Sequence, residues 1–171
     1  MKEIVKIEGE IVIGIFIADK KEGDPVFITS AEAVAHQGLV GDRYYEGSGT
    51  FSGADPIGPG REITLIEEEN VDFLAKQLRC EVDAAKLRRN VVTRGVRLNN
   101  LVGRQFTIGD VRLIGVRLCH PCSHLERLSG WNVMTHLKDR GGLRADILDG
   151  GWLHVGDRVS IDPDVPSAMA H

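Results

Sequence analysis

Short runs of β-favouring residues, each closed off by glycine, recur along this sequence and constrain its fold more than any other feature. Ile11 to Ala18 is apolar and β-rich, with Gly14 marking a bulge or a close approach. Val26-Phe27-Ile28 follows the turn composition of Lys20 to Pro25, and another strand is expected before Ala35. Arg61 to Ile66 alternates as a strand does, and Asn90 to Thr93 is a short strand ended by Gly95. Gln105 to Ile108 and Val111 to Leu118 flank Gly109-Asp110, which reads as a hairpin. Ala145 to Leu148 and Asp157 to Ile161 are the last expected strands. Helical patterning is confined to Glu67–Leu78, a short stretch containing Leu125 and Leu128, and Asn132–Lys138. Regular strand–helix alternation is missing, which argues against a doubly wound α/β sheet. The expected class is mainly β: an antiparallel or mixed β-barrel with only two or three helices.

The 171 residues suit one domain with a real core, expected over residues 1–162, with 163–171 as a loosely held tail. A net charge of −4 gives no bulk reason to expect nucleic acid or an acidic membrane as partner. Ile11 to Ala18 is too short to cross a bilayer, and the start lacks the order of a secretory signal. Three cysteines are too few, and odd in number, for a disulfide scaffold. The expectation is a cytoplasmic protein with reduced thiols, in which Cys80 is partly buried and structural.

Chemistry concentrates in Leu118-Cys119-His120-Pro121-Cys122-Ser123-His124, which holds two of the three cysteines and two of the six histidines. An alternating strand precedes it and a short helix follows, so the thiols are expected where a strand hands over to a helix. A helix start favours negative charge and lowers a thiol's pKa. The Cys119-x-x-Cys122 pair has four readings. They are a dithiol redox pair, a zinc site completed by histidine, a single soft-metal or sulfur-carrying thiolate supported by the other cysteine, and two small buried hydrophobes. A thioredoxin-like pair belongs in a βαβ framework, and structural zinc needs a second ligand pair; neither is present in the sequence.

Two further segments place cations in an acidic chain. Gly41-Asp42-Arg43-Tyr44-Tyr45 precedes the glycine-rich stretch 47–60, which has five glycines and two prolines. Arg43 there either presents a planar fork to phosphate or carboxylate, or pairs internally with Asp42. Leu87-Arg88-Arg89-Asn90-Val91-Val92 opens a strand, so Arg88 and Asn90 are expected on one face, as an anion-binding pair, and Arg89 on the other.

In order and spacing these segments resemble the MOSC domain, named for the C-terminal domain of molybdenum-cofactor sulfurases. The resemblance runs from about Val12 to Ile161. It is carried also by Arg61 to Glu67, Leu101-Val102-Gly103-Arg104-Gln105-Phe106 and Gly151-Trp152-Leu153-His154-Val155-Gly156-Asp157-Arg158-Val159. It implies a closed β-barrel with peripheral helices and a molybdenum cofactor of molybdopterin type. The metal would be ligated by Cys122, and Arg43, Arg88 and Asn90 would hold the cofactor. It implies reduction of N-hydroxylated substrates, as in amidoxime-reducing and hydroxylaminopurine-detoxifying relatives. Counterparts of the N-terminal barrel domain of the former and of the C-terminal helices of the latter are not expected from these 171 residues.

A second implication is a sulfur carrier, in which Cys122 holds a persulfide and Cys119 resolves it. The sulfur then comes from a partner cysteine desulfurase; an electron-transfer protein is the partner implied by reductase activity. The family is also associated with pyridoxal phosphate. The alternative in a different class is a non-catalytic barrel that binds a small anion or a partner, with structural thiols.

Overall fold

A computed structural model describes residues 9–47 and 59–161. Its eleven strands are β1 (Ile11–Ile17), β2 (Val26–Ile28), β3 (Ser30–Val34), β4 (Gly38–Leu39), β5 (Ile63–Glu67), β6 (Val91–Arg94), β7 (Gln105–Ile108), β8 (Val111–Leu118), β9 (Leu143–Asp149), β10 (Gly151–His154) and β11 (Val159–Ile161). The helices are α1 (Glu68–Leu78), α2 (Ser123–Ser129) and α3 (Val133–His136), with short 3₁₀ turns at Ala84–Leu87 and Leu98–Leu101.

Eight strands form one sheet in the order β11-β7-β8-β9-β5-β6-β1-β2, and β10-β3-β4 form a second, smaller one. Neighbours in the large sheet are antiparallel except β5 and β6, which run parallel and are joined through α1. The mainly-β class therefore stands, but the ladders do not close into a barrel: β11 and β2 are the ends of the series. Just before β11 an isolated antiparallel bridge joins Ile11 of β1 to Arg158, flanked by the Val12 N–H donating to the Asp157 carbonyl at 2.9 Å and the Val159 N–H donating to the Glu10 carbonyl at 2.8 Å.

Two apolar clusters explain the residue pattern. Ile15, Ile63, Leu65, Val91, Phe106, Leu113, Leu143 and Ile147 pack into the larger one. Ile66, Val71, Leu74, Leu87, Val92, Leu125, Val133 and Leu137 form the other, beneath the helices. Leu65 and Ile66, like Val91 and Val92, face opposite clusters, so β5 and β6 are covered on both sides. Ile63 to Ile66 is accordingly buried throughout rather than on alternate residues. The Gly109-Asp110 hairpin is present, with Ile108 opposite Val111 and Gly109 at a φ of 55°.

Several expectations need adjustment. Glu67 ends β5 and caps α1 rather than lying within the helix. The segment expected to be helical over 132–138 forms only the single turn of α3. β4 and β10 pair with β3 through short, glycine-containing segments that carry little strand signal. Cys80, expected to be partly buried, is exposed just past the end of α1. Most of the glycine-rich stretch, 48–58, and the tail 163–171 lie outside the described residues.

Candidate functional site

The Cys119–Cys122 turn lies where expected, between the end of β8 and the first residue of α2, for which Cys122 is the N-cap. The two thiols are not equivalent. Cys119 is 1% exposed, whereas Cys122 is exposed. α2 has only seven residues, so its dipole is a minor contribution; the larger charge comes from arginines on other elements.

Cys122 borders a recess of about 100 Å³ whose lining includes Arg43, Arg88, Arg89, Arg144, His120 and His124. Four arginines thus border it from three separate segments of an acidic chain, and no Asp or Glu is among the described lining residues. Only the fold makes this grouping, because β5, β6 and β9 are adjacent in the sheet.

Each arginine is held differently. Arg43 is buried and does both things the sequence allows. Its Nη1 donates to Asp42 Oδ1 at 3.3 Å, its Nη2 donates to the Arg88 carbonyl at 3.4 Å, and the side chain still borders the recess. Asp42, itself fully buried, accepts from the Ala18 and Tyr44 N–H groups and so fixes the turn that carries Arg43. Arg88 has φ 61° at the end of a 3₁₀ turn, and its Nη1 donates to the Gly23 carbonyl at 2.6 Å. Burial, and then the positive charge of Arg43, depress the Arg88 pKa below its ordinary value. Tyr44, Asp42 and Asp24 offset part of that shift.

The expected Arg88–Asn90 pair on one strand face is not formed. The strand begins only at Val91, and the left-handed turn at Arg88 breaks the alternation on which that expectation rested. Asn90 is 1% exposed and is not among the residues lining the recess. Its Oδ1 accepts from the Thr64 N–H at 3.0 Å and the Thr64 hydroxyl at 3.1 Å, and its Nδ2 donates to the Phe16 carbonyl at 3.2 Å. Asn90 therefore braces β1, β5 and β6 behind the recess wall.

Arg89, which the sequence placed on the opposite face, borders the recess and is buried. Its Nε donates to the Gly141 carbonyl at 2.8 Å, Nη1 to Leu87 at 3.1 Å and Nη2 to Cys119 at 3.2 Å. Sequence reasoning missed Arg89 and Arg144 as parts of the site. The run of adjacent cations at 88–89 was the one available signal for the former.

His124 accepts at Nδ1 from Arg127 Nη2 at 3.0 Å, and Arg127 donates to Glu22 at 2.8 Å. In the neutral ring the proton then sits on Nε2, which is buried and has no partner among the described residues. The zinc reading finds no support: the described residues contain no cluster of three His, Cys, Asp or Glu able to hold a bare metal ion. Pyridoxal phosphate is not supported either, because no lysine is among the described lining residues to form its Schiff base.

A mainly-β sheet carrying one accessible thiol beside an arginine-lined recess defines a recognisable class, and residues 50–160 match the family model described as MOSC domain. The chain belongs to the MOSC domain family, which is linked to molybdenum-cofactor-related function. Among solved structures it is similar to the YuaD protein from Bacillus subtilis, with a TM-score of 0.74 at 16% identity over 90% of this chain and 97% of that one. It is also similar to YiiM from Geobacillus stearothermophilus, with a TM-score of 0.71 at 11% identity over 94% and 78% of the two chains. YiiM from Escherichia coli gives a TM-score of 0.65 at 16% identity over 91% and 71%. At these identities the likeness is one of fold. The search of curated proteins finds no match. No helix among the described residues is long and apolar enough to cross a membrane.

Proposed function

We propose that the protein binds a molybdopterin-type cofactor, with the Cys122 thiolate as metal ligand and Arg43 and Arg88 holding the cofactor's anionic edge. The observation that carries this reading is the exposed Cys122 beside a recess bordered by four arginines from three segments. Soft metals select thiolate ligands, and arginine forks suit phosphate oxygens. A recess of about 100 Å³ takes a phosphate or the metal end of such a cofactor. Pockets for whole ligands are several times larger, roughly 300–1,000 Å³, so the rest of the cofactor would extend beyond these residues. Arg89 and Arg144 add positive charge at the wall, and Asn90 supports that wall from behind. When bound, the cofactor would supply two-electron chemistry for reducing N-hydroxylated or N-oxide compounds. The proposal also includes a cytoplasmic location and an electron-transfer protein as partner.

The sulfur-carrier alternative needs a persulfide on Cys122, which its exposure permits, and sulfur from a cysteine desulfurase. Resolution by Cys119 requires the turn to open first, because that thiol is enclosed. The test is metal analysis of protein made in a host with the complete molybdopterin pathway. Stoichiometric molybdenum in the wild type, lost in Cys122→Ser and reduced in Arg88→Ala, is the expected result. Molybdenum absent from the wild type, or equal in Cys122→Ser, rejects the reading. A gain of one sulfur on Cys122 after incubation with a desulfurase would then favour the carrier.

A further inference from the structure

The geometry points to Arg89 as a positioning residue that keeps Cys119 and Cys122 apart as two thiols, so that Cys122 meets its ligand alone instead of closing a disulfide with its neighbour. The inference rests on the reading of Cys122 as the functional thiol and adds how that thiol is kept available.

A Cys-x-x-Cys pair on a flexible turn readily becomes a disulfide under oxidation, provided that both Cβ atoms can approach. Here the turn is clamped from both sides of Cys119. The Cys119 N–H donates to the Gly142 carbonyl at 2.7 Å, and the Cys119 carbonyl accepts from Arg89 Nη2 at 3.2 Å. Arg89 is 7% exposed and bonds at the same time to Gly141 and Leu87. Three main-chain carbonyls from three segments therefore surround one planar guanidinium, a group whose fixed fork resists reorientation. A buried cation is costly to leave without partners, so the carbonyl of Cys119 is not easily released.

Gly141 completes the clamp. A Cβ at this position would land on the Cys119 carbonyl oxygen and lie 3.0 Å from Pro121 Cδ. The backbone of the turn rests directly on a glycine, and Pro121 holds φ in the residue just before Cys122. The outcome is one enclosed thiol and one exposed thiol only three residues apart.

The test uses oxidised glutathione on the purified full-length chain, read by intact mass and peptide mapping. Attack by Cys122 breaks the glutathione disulfide, forms a mixed disulfide and releases one glutathione. If Cys119 can then reach it, a second exchange forms the internal disulfide, releases the other glutathione and leaves the protein two hydrogens lighter. Within the pair the wild type is expected to stop at the Cys122 adduct; exposed Cys80 forms its own adduct, which peptide mapping separates. Arg89→Ala should go on to the internal disulfide at least tenfold faster, and Arg89→Lys should fall between them. Gly141→Ala, which retains the Arg89 side chain but pushes the Cys119 carbonyl out of the clamp, should also gain the internal disulfide and covers the case in which Arg89→Ala does not fold. Thermal midpoints measured alongside separate the two roles. A merely structural Arg89 would lower the midpoint while leaving the disulfide yield of the folded protein unchanged, and that result overturns the inference. So does rapid internal disulfide formation in the wild type, which leaves cofactor binding to its own metal measurement. Absence of any adduct on Cys122 overturns the accessible thiol on which both proposals rest.

Discussion

Replacing Glu62 by glutamine should stabilise the protein increasingly as pH rises. Glu62 precedes β5, and its Oε1 accepts the Ile147 N–H at 3.2 Å; Asp146 on β9 accepts the Gly60 N–H at 2.8 Å. Burial first, then the hydrogen bond and charge of Asp146, push the Glu62 carboxyl from 4.5 up to about 7. The folded chain thus retains a proton that the unfolded chain has released between these two values. Proton uptake favours the folded state, so the contribution is complete below pH 4.5, declines as pH rises and is gone above pH 7. The unscreened limit of that pKa difference is about 3 kcal/mol. Glu62 is only half-buried, and screening by solvent reduces the expected effect to on the order of 1 kcal/mol. Glutamine keeps the shape, the acceptor for Ile147 and a donor for Asp146, but cannot ionise. Urea denaturation of both proteins in steps between about pH 5 and pH 8 provides the measurement, since groups that do not interact with Glu62 cancel in the difference. The Glu62→Gln protein should gain on the wild type by about 1 kcal/mol across the window. A difference that is independent of pH, or that shrinks as pH rises, refutes the reasoning.

Asn90→Ala should cost about 2–4 kcal/mol, because it leaves the buried Thr64 N–H without its acceptor and cuts the link to Phe16; a loss under about 1 kcal/mol in chemical denaturation contradicts the bracing role. Gly142 has φ 102°, and a Cβ there would land on the Leu65 carbonyl oxygen. Gly142→Ala should therefore lower stability by more than about 3 kcal/mol or prevent folding, and a thermal melt close to that of the wild type would show that the β5–β9 contact yields more easily. Alkylation of the folded protein should modify Cys80 and Cys122 rapidly and Cys119 only in denaturant; mass mapping that finds Cys119 modified at a similar rate counts against the enclosed thiol.

The main strands were legible because their signal is local. Gln105–Ile108 and Val111–Leu118 announce themselves by alternation around Gly109-Asp110, and Glu67–Leu78 by its helical spacing. β4 and β10 were not, because segments of two and four residues containing glycine owe their pairing to β3 rather than to their own propensity. Counting alternate residues failed at Arg88, where one left-handed residue resets which way its successors face.

Residue types and their order alone settled that this is a β-rich chain with two thiols close together at Cys119–Cys122 and cations at positions 43 and 88–89. The difference between the two thiols was decided by tertiary structure, and so was the placing of Arg89 rather than Asn90 along the recess. Whether a polar side chain faces a ligand or braces a wall depends on which carbonyls and N–H groups surround it. Those groups come from Phe16, Thr64, Cys119 and Gly141, which are far apart along the chain and adjacent only after β1, β5, β6, β8 and β9 have assembled.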